Sequence, residues 1–205
     1  MSNVLFIKAN PRPADQAVSV KMYDAFVASY RETHPNDNIT ELDLFAENLP
    51  YYGLDMINGK FKARSGYELT EGEKQAVEVV DKYLNQFLGA DKVMIAFPLW
   101  NATVPAPLHT YFDYLNQAGT TFGYTAEGPV GLVKGKKLAL LNARGGDYSN
   151  YPYEMCLNFA SNTFSFFGIE DIEKLVIEGH NQYPDRSEAI VQDGLEKVRS
   201  AAIVF

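Results

Sequence analysis

One cysteine, Cys156, stands in 205 residues. That excludes an intramolecular disulfide and a cysteine-based metal cluster, and it fits a reducing compartment. Positive charge is also scarce: 18 Lys+Arg against 26 Asp+Glu give a formal charge of −8 and a pI near 4.9. A nucleic-acid binder needs a basic face to neutralise phosphates, so that class is excluded. A single small phosphate is not, because backbone N–H groups at a helix start bind one without net charge. No stretch approaches the roughly 18 apolar residues of a membrane span. The apolar run within Met1–Lys8 lacks preceding basic residues and is too short for a signal segment, so a soluble cytoplasmic protein is expected. There is no Gly-x-Gly-x-x-Gly after the first apolar run, no Gly-x-x-x-x-Gly-Lys-Ser/Thr and no Gly-x-Ser-x-Gly. A nicotinamide-binding Rossmann domain, a P-loop NTPase and a serine hydrolase are each disfavoured. His34, His109 and His180 show no metal-ligand spacing and read as structural or solvated. No metal site is expected.

What is present is an ordinary globular composition, with 46% apolar and 21% charged residues. The length suits a single domain, residues 1–205, able to bury one sizeable core. Val4–Ile7 reads as a strand buried on both faces. Asn10–Asp15 carries two prolines and breaks regular structure. From Ser19, apolar residues Met22, Tyr23, Phe26, Val27 and Tyr30 recur at helical spacing until the turn cluster at His34–Asn38. Ile39–Leu44 alternates as a second strand. Phe45–Gly66 has no clear period and is expected to be irregular, with at most a short helix. Thr70 and Glu73 form a capping-box pattern ahead of a helix, which Gly89 is expected to close as a C′ glycine. Lys92–Phe97 is a third strand, and Pro105-Ala106-Pro107 opens the next helix. Phe122–Val133 reads as a hairpin-like excursion. Lys136–Asn142 and Ile172–Ile177 are the fourth and fifth strands. A helix between them carries Cys156 on its apolar face and stops at Gly168, and a last helix begins near Asp185. Strands alternating with helices predict an α/β fold with a parallel sheet covered on both faces, three-layered and doubly wound.

In such sheets ligands bind beyond the carboxyl ends of the strands, near the switch point of the winding. The segments to inspect are therefore Ala9–Ser19, Pro98–Thr103 and Asn142–Asn150. The first leads into a helix N-terminus, where Ser19 either caps the helix or bonds a phosphate oxygen. Pro98-Leu99-Trp100-Asn101 holds the only Trp, a flat apolar face beside an amide, suited to a heterocycle or equally to closing the core. Asn142-Ala143-Arg144-Gly145-Gly146 offers close backbone approach at two glycines and a positive charge, or simply a tight turn with a surface Arg. Phe166 stands off the main apolar stripe of its helix.

Taken together, these segments resemble the FMN-dependent NADH azoreductases, which are also NADH:quinone oxidoreductases of flavodoxin-like fold. The resemblance runs along essentially the whole chain. It rests on Val4–Lys8, Pro98–Asn101, Ala118–Thr125, Gly128–Leu132, Ala143–Gly146 and Phe166–Ile169. It implies a five-stranded parallel sheet of order 2-1-3-4-5 and a homodimer holding FMN at its interface. It implies two-electron, ping-pong transfer from NADH to quinones and reductive cleavage of aromatic azo compounds. The flavin phosphate is expected at Asn10 and at Ala17, Val18 and Ser19. The ring is expected against Pro98, Leu99, Trp100, Asn101 and Ala102 and against Ala143, Arg144, Gly145 and Gly146, whose donors would stabilise negative charge on the reduced ring. Tyr124 and Phe166 match positions at the substrate face, Phe166 from the other subunit. Two departures stand out: Ala17 replaces a serine, and Ala102 replaces an aromatic. No catalytic acid or base is expected, because the flavin carries the chemistry.

Two other readings remain. An FMN electron carrier would suit the acidic charge, but about 60 residues exceed what five βα units of roughly 25–30 residues need. A structural α/β domain without ligand is the third.

Overall fold

Along the chain the strands are β1 (Asn3–Lys8), β2 (Asn38–Asp43), β3 (Lys92–Pro98), β4 (Phe122–Thr125), β5 (Gly128–Gly131), β6 (Lys137–Arg144) and β7 (Asp171–Glu178). All but β4 and β5 lie in one parallel sheet of order β2-β1-β3-β6-β7. Counting sheet strands alone, that is the expected order 2-1-3-4-5. β4 and β5 pair as a separate antiparallel hairpin. The helices are α1 (Val18–Thr33), α2 (Leu54–Ser65), α3 (Glu71–Gly89), α4 (Ala106–Leu115), α5 (Cys156–Phe167) and α6 (Ser187–Val204). The computed structural model describes residues 1–149, 151 and 154–205.

Alternation along each central strand builds the three layers. Leu5 and Ile7, Val93, Ile95 and Phe97, and Leu138 and Leu140 face one way and pack against α3, α4 and α5. Val4 and Phe6, Met94 and Ala96, and Ala139, Leu141 and Ala143 face the other way and pack against α1 and α6. The middle strands are apolar on both faces because each face has its own helical layer. The edge strand β2 is largely exposed, with Leu42 its buried anchor.

Four local expectations need comment. The segment 45–66 contains a full helix, α2, closed by Gly66 in the left-handed region at φ 74°. Its apolar residues Leu54, Ile57 and Phe61 stand at i, i+3 and i+7 but face solvent, and only Met56 and Gly59 are buried. Gly59 matters for packing: a Cβ there would lie 2.7 Å from Val77 Cγ2 on α3. The capping box is complete. Thr70 Oγ1 accepts from Glu73 N, and Glu73 Oε2 accepts from Thr70 N. Gly89 is instead the last helical residue of α3, and Ala90 follows in extended backbone, so the left-handed stop expected there does not occur. That stop does occur at Gly168, φ 99°, after α5. Gly168 also lies directly against Gly131, where a side chain on either residue would collide with backbone. Together with the bond from Val133 N to Phe167 O at 2.8 Å, this pins the hairpin to the end of α5.

Candidate functional site

The loop after β1 delivers α1 to the carboxyl edge of the sheet. Ala17, extended at φ −141°, precedes the helix without a side-chain cap. Ser19 is therefore the second helical residue and not the cap. It is buried, and its hydroxyl oxygen accepts from Asn10 Nδ2 at 2.9 Å. Asn10 Oδ1 in turn accepts from Arg12 N at 3.1 Å. This relay fixes the loop and leaves the Ser19 proton available, beside N–H groups of the first helical turn that have no carbonyl one turn earlier.

The β3–α4 loop makes a tight turn. Trp100 and Thr103 exchange two backbone hydrogen bonds of 3.0 Å. Between them Asn101 (φ 50°) and Ala102 (φ 64°) both occupy the left-handed region. Two positive φ values across a two-residue loop are the signature of a type I′ turn. Asn tolerates this conformation and Ala pays a steric cost for it. Leu99 N donates to Ala143 O at 2.9 Å, tying the turn to β6. Phe45 braces the indole of Trp100, ring centroids 6.0 Å apart.

The β6 end differs from the expected loop, because the strand runs on through Arg144. Arg144 is buried. Its Nε donates to Asn142 Oδ1 at 2.6 Å, and its terminal nitrogens lie 3.5 Å from Glu154 Oε2 and 3.4 Å from Glu178 Oε2. The guanidinium is thus engaged by two carboxylates and does not stand free on the surface. Asn142 Nδ2 donates to Phe97 O at 3.1 Å. Burial pushes the neighbouring Cys156 thiol up to about 12, so this cysteine is packing rather than nucleophile. Beyond Arg144, Gly145 O accepts from Asn181 N and Gln182 N, and Gly146 O accepts from Gly179 N. No acceptor for the N–H groups of Gly145 and Gly146 is found among the described residues. A Cβ on Gly145 would lie 2.6 Å from Asn181 Nδ2.

These loops meet around a cleft of about 450 Å³, within the roughly 300–1,000 Å³ of small-molecule sites. Asn10, Ala17, Val18, Ser19, Pro98, Leu99, Trp100, Ala143 and Gly145 all line it. Asn101 lines an adjoining cavity of about 510 Å³ beyond the turn, with Trp100 shared between the two. Ala102, Arg144 and Gly146 line neither cavity but adjoin lining residues in the chain. Asn150, the end of the third segment, falls outside the described residues. Tyr124 and Phe166 come together elsewhere, on the two sides of Phe122, at 5.6 and 4.6 Å between centroids. They are exposed and line neither cavity.

Six further residues line the cleft: Arg12, Asp15, Gln16, Lys21, His180 and Asn181. His180 and Asn181 follow β7, the edge strand beside β6, and lie outside the three segments singled out by strand order. Their position after a strand was the signal available. His180 Nδ1 is buried with no partner among the described residues. Burial, and then the charge of Lys21, hold the imidazole below its ordinary 6.5.

A flavodoxin-like fold model matches residues 2–202. The chain is 61% identical, over the full length of both, to an FMN-dependent NADH:quinone oxidoreductase of Bacillus thuringiensis, and 58% identical to one of Bacillus subtilis. A crystal structure of an azoreductase from Bacillus anthracis superposes with a TM-score of 0.97 at 61% identity, covering both chains fully. A Bacillus anthracis FMN-dependent NADH-azoreductase in complex with FMN superposes at 0.89, with 29% identity and 98% coverage of each chain. By its matched model and its full-length relatives, the chain belongs to the family of proteins with the flavodoxin-like fold.

Proposed function

We infer that this chain is an FMN-dependent NADH:quinone oxidoreductase that also cleaves aromatic azo compounds. The observation carrying this reading is the cleft itself. A helix N-terminus with a free hydroxyl, a tight turn bearing an indole, and a glycine pair with free N–H groups converge at the carboxyl edge of the sheet. The full-length resemblance to enzymes of that name supports it.

The donor set fits FMN. A phosphate suits the first turn of α1, where the helix dipole and N–H groups favour an anion. Ser19 adds its hydroxyl there, Asn10 holds that hydroxyl in place, and Ala17 and Val18 contribute backbone only. Pro98, Leu99, Trp100, Asn101 and Ala102 form one border of the ring site, and Ala143, Gly145 and Gly146 the other. FMN, when bound, supplies two-electron transfer from NADH to a quinone or an azo compound. The N–H groups of Gly145 and Gly146 favour negative charge on the adjacent ring edge. Arg144 acts by anchoring that loop through Glu154 and Glu178.

Two copies complete the site in this reading. Tyr51, Leu54, Ile57, Phe61 and Tyr67 expose apolar surface around α2, and Tyr124, Val130, Leu132 and Phe166 expose more at the hairpin. Apolar surface of this extent marks an interface. A second copy covering it would carry Tyr124 and Phe166 towards the partner's substrate face. None of the helices described is long and apolar enough to cross a membrane, and the cytoplasm is the expected compartment.

The test is direct. Purified protein should show flavin absorbance, sediment as a dimer, and oxidise NADH with a quinone in the absence of any partner protein. A colourless chain that FMN does not reconstitute rejects the reading. Reduction by NADH with no turnover until a partner protein is added would make it a carrier.

A further inference from the structure

His180 lines the cleft and has no part in the chemistry above. It is half-buried and lines the same cavity as Ser19 and Lys21. Its two ring nitrogens have unlike surroundings. Nδ1 is sealed from solvent and makes no hydrogen bond, whereas Nε2 is not among the buried unpartnered atoms and bonds no described residue. Nε2 is therefore the solvent-facing nitrogen of a ring that lines the cleft.

The buried nitrogen decides the tautomer. An N–H sealed away without an acceptor costs the full desolvation of a donor, while a bare ring nitrogen costs less. The neutral ring thus keeps its proton on Nε2. Charging the ring would require a second, unpaired N–H at Nδ1, next to Lys21. The lowered pKa of His180, caused first by burial and then by Lys21, agrees with this. The charged side chains lining the cleft with His180 are Lys21, Arg12 and Asp15, all from the β1–α1 segment. On the imidazole's own side, Asp147 approaches the preceding Gly179.

The position decides what the donor meets. His180 lines the same cleft as Val18, Ser19 and Lys21 of the first turn of α1, where the phosphate belongs. We propose that His180, as the neutral Nε2–H tautomer, donates a hydrogen bond to the phosphate of FMN in the cleft it shares with Ser19. This rests on the flavin reading above. It supplies a side-chain donor at a site where Ala17 offers none, and brings no charge with it.

The experiment compares FMN with riboflavin, which has the same ring and ribityl chain and no phosphate. Apoprotein is titrated with each, following flavin fluorescence, for wild type, His180→Phe and His180→Gln. A lost donor to a charged group is worth about ten-fold in affinity. His180→Phe should therefore weaken FMN about ten-fold and riboflavin less than about two-fold, and His180→Gln should recover most of the loss. Equal weakening of both flavins, or no weakening of FMN, overturns the proposal. Should His180→Phe fail to fold by circular dichroism, the His180→Gln protein and the ring-nitrogen NMR signals of wild-type holoprotein decide it. A proton on Nδ1 there overturns the assignment. If the wild-type chain binds neither flavin, the flavin reading itself fails and this proposal falls with it. If wild type binds FMN and His180→Phe binds it equally well, only the proposal fails.

Discussion

The two ends of one sheet are built on opposite terms. At the amino ends of the strands polar groups are paired. Asp37 accepts from Ser2 N and from Tyr30 Oη, each at 2.7 Å. Tyr30 Oη also accepts from Lys92 Nζ at 3.0 Å. Asp91 Oδ2 accepts from Asn3 N at 2.8 Å, and Asp91 N donates to Asn3 O at 2.7 Å. At the carboxyl ends lie a non-glycine pair at positive φ and, among the described residues, an imidazole nitrogen without a partner and two glycine N–H groups without acceptors. Strain and unmet hydrogen-bonding capacity persist where the rest of the structure holds them in place, and they gather at sites of function. One edge closes the sheet, and the other is left ready for a ligand.

Gly145→Val should break this contrast most visibly. A Cβ at that position already meets Asn181 Nδ2 at 2.6 Å and Asn181 Cβ at 3.3 Å, so the Asn181 side chain must give way, and the larger valine crowds the mouth of the cleft that both residues line. Overpacking of this kind costs roughly 1–3 kcal/mol, and if about 3 kcal/mol of it falls on the bound state alone, FMN affinity drops about hundred-fold. Fluorescence titration of the apoprotein measures it, with Gly89→Ala as a control, because nothing lies within 4 Å of a Cβ there.

Arg144→Gln comes next and tests whether that side chain serves the loop or the flavin. Removing it leaves Glu154 and Glu178 facing each other's charge in a largely buried setting. Breaking a buried pair costs about 3 kcal/mol, to be read from urea unfolding of the holoprotein. The flavin midpoint potential should move little. A large drop in potential with intact stability would show that the guanidinium acts on the ring directly.

At the amino edge Tyr30→Phe should cost about 1.5 kcal/mol, since a fully buried hydroxyl leaves a carboxylate partner. FMN affinity should not change. The pH dependence has a definite sign. The Ser2 N–H and then the Tyr30 hydroxyl hold the Asp37 carboxyl below its ordinary 3.8. A lowered folded-state value contributes stability above the unfolded value and loses it as pH falls through the folded one. Tyr30→Phe should therefore flatten the loss of stability below about pH 4 and leave the neutral range offset by a constant amount. An unaltered acid limb would show that Asp37 does not depend on this hydroxyl.

The sequence showed this contrast only in outline. The central strands were legible because apolar runs such as Val93–Phe97 have little alternative to a doubly covered strand. The position of the cleft followed from strand order alone, and Asn10, Ser19, Trp100 and Gly145 do meet there. What was hidden depended on tertiary partners. α2 carries only a short stripe, Leu54, Ile57 and Phe61, among Gly, Pro and Tyr residues that read as irregular chain, and that stripe is exposed rather than core. Arg144 looked like a loop residue because Glu154 and Glu178, ten and thirty-four positions away in sequence, cannot be read as its partners from spacing. His180 drew attention only for metal-ligand spacing, which it lacks, and its position beyond β7 went unexamined.

The smallest expected effect is the one that bears on the carboxyl edge itself. Ala102 sits at φ 64°, a conformation that costs an L-residue about 1–2 kcal/mol. Glycine adopts it freely but gives back about 0.4–1 kcal/mol through the greater freedom of the unfolded chain. The difference leaves Ala102→Gly more stable by about 0.5–1 kcal/mol, a gain in midpoint visible in urea unfolding of the apoprotein. The backbone bonds between Trp100 and Thr103 survive the change, so FMN affinity should hold within about two-fold. If the variant is stabilised and binds FMN as before, the strain belongs to the alanine alone and the turn would keep its shape without it. If it is destabilised, the methyl group makes a contact in the folded state worth more than the strain, and the carboxyl edge is better packed at Ala102 than its backbone geometry implies.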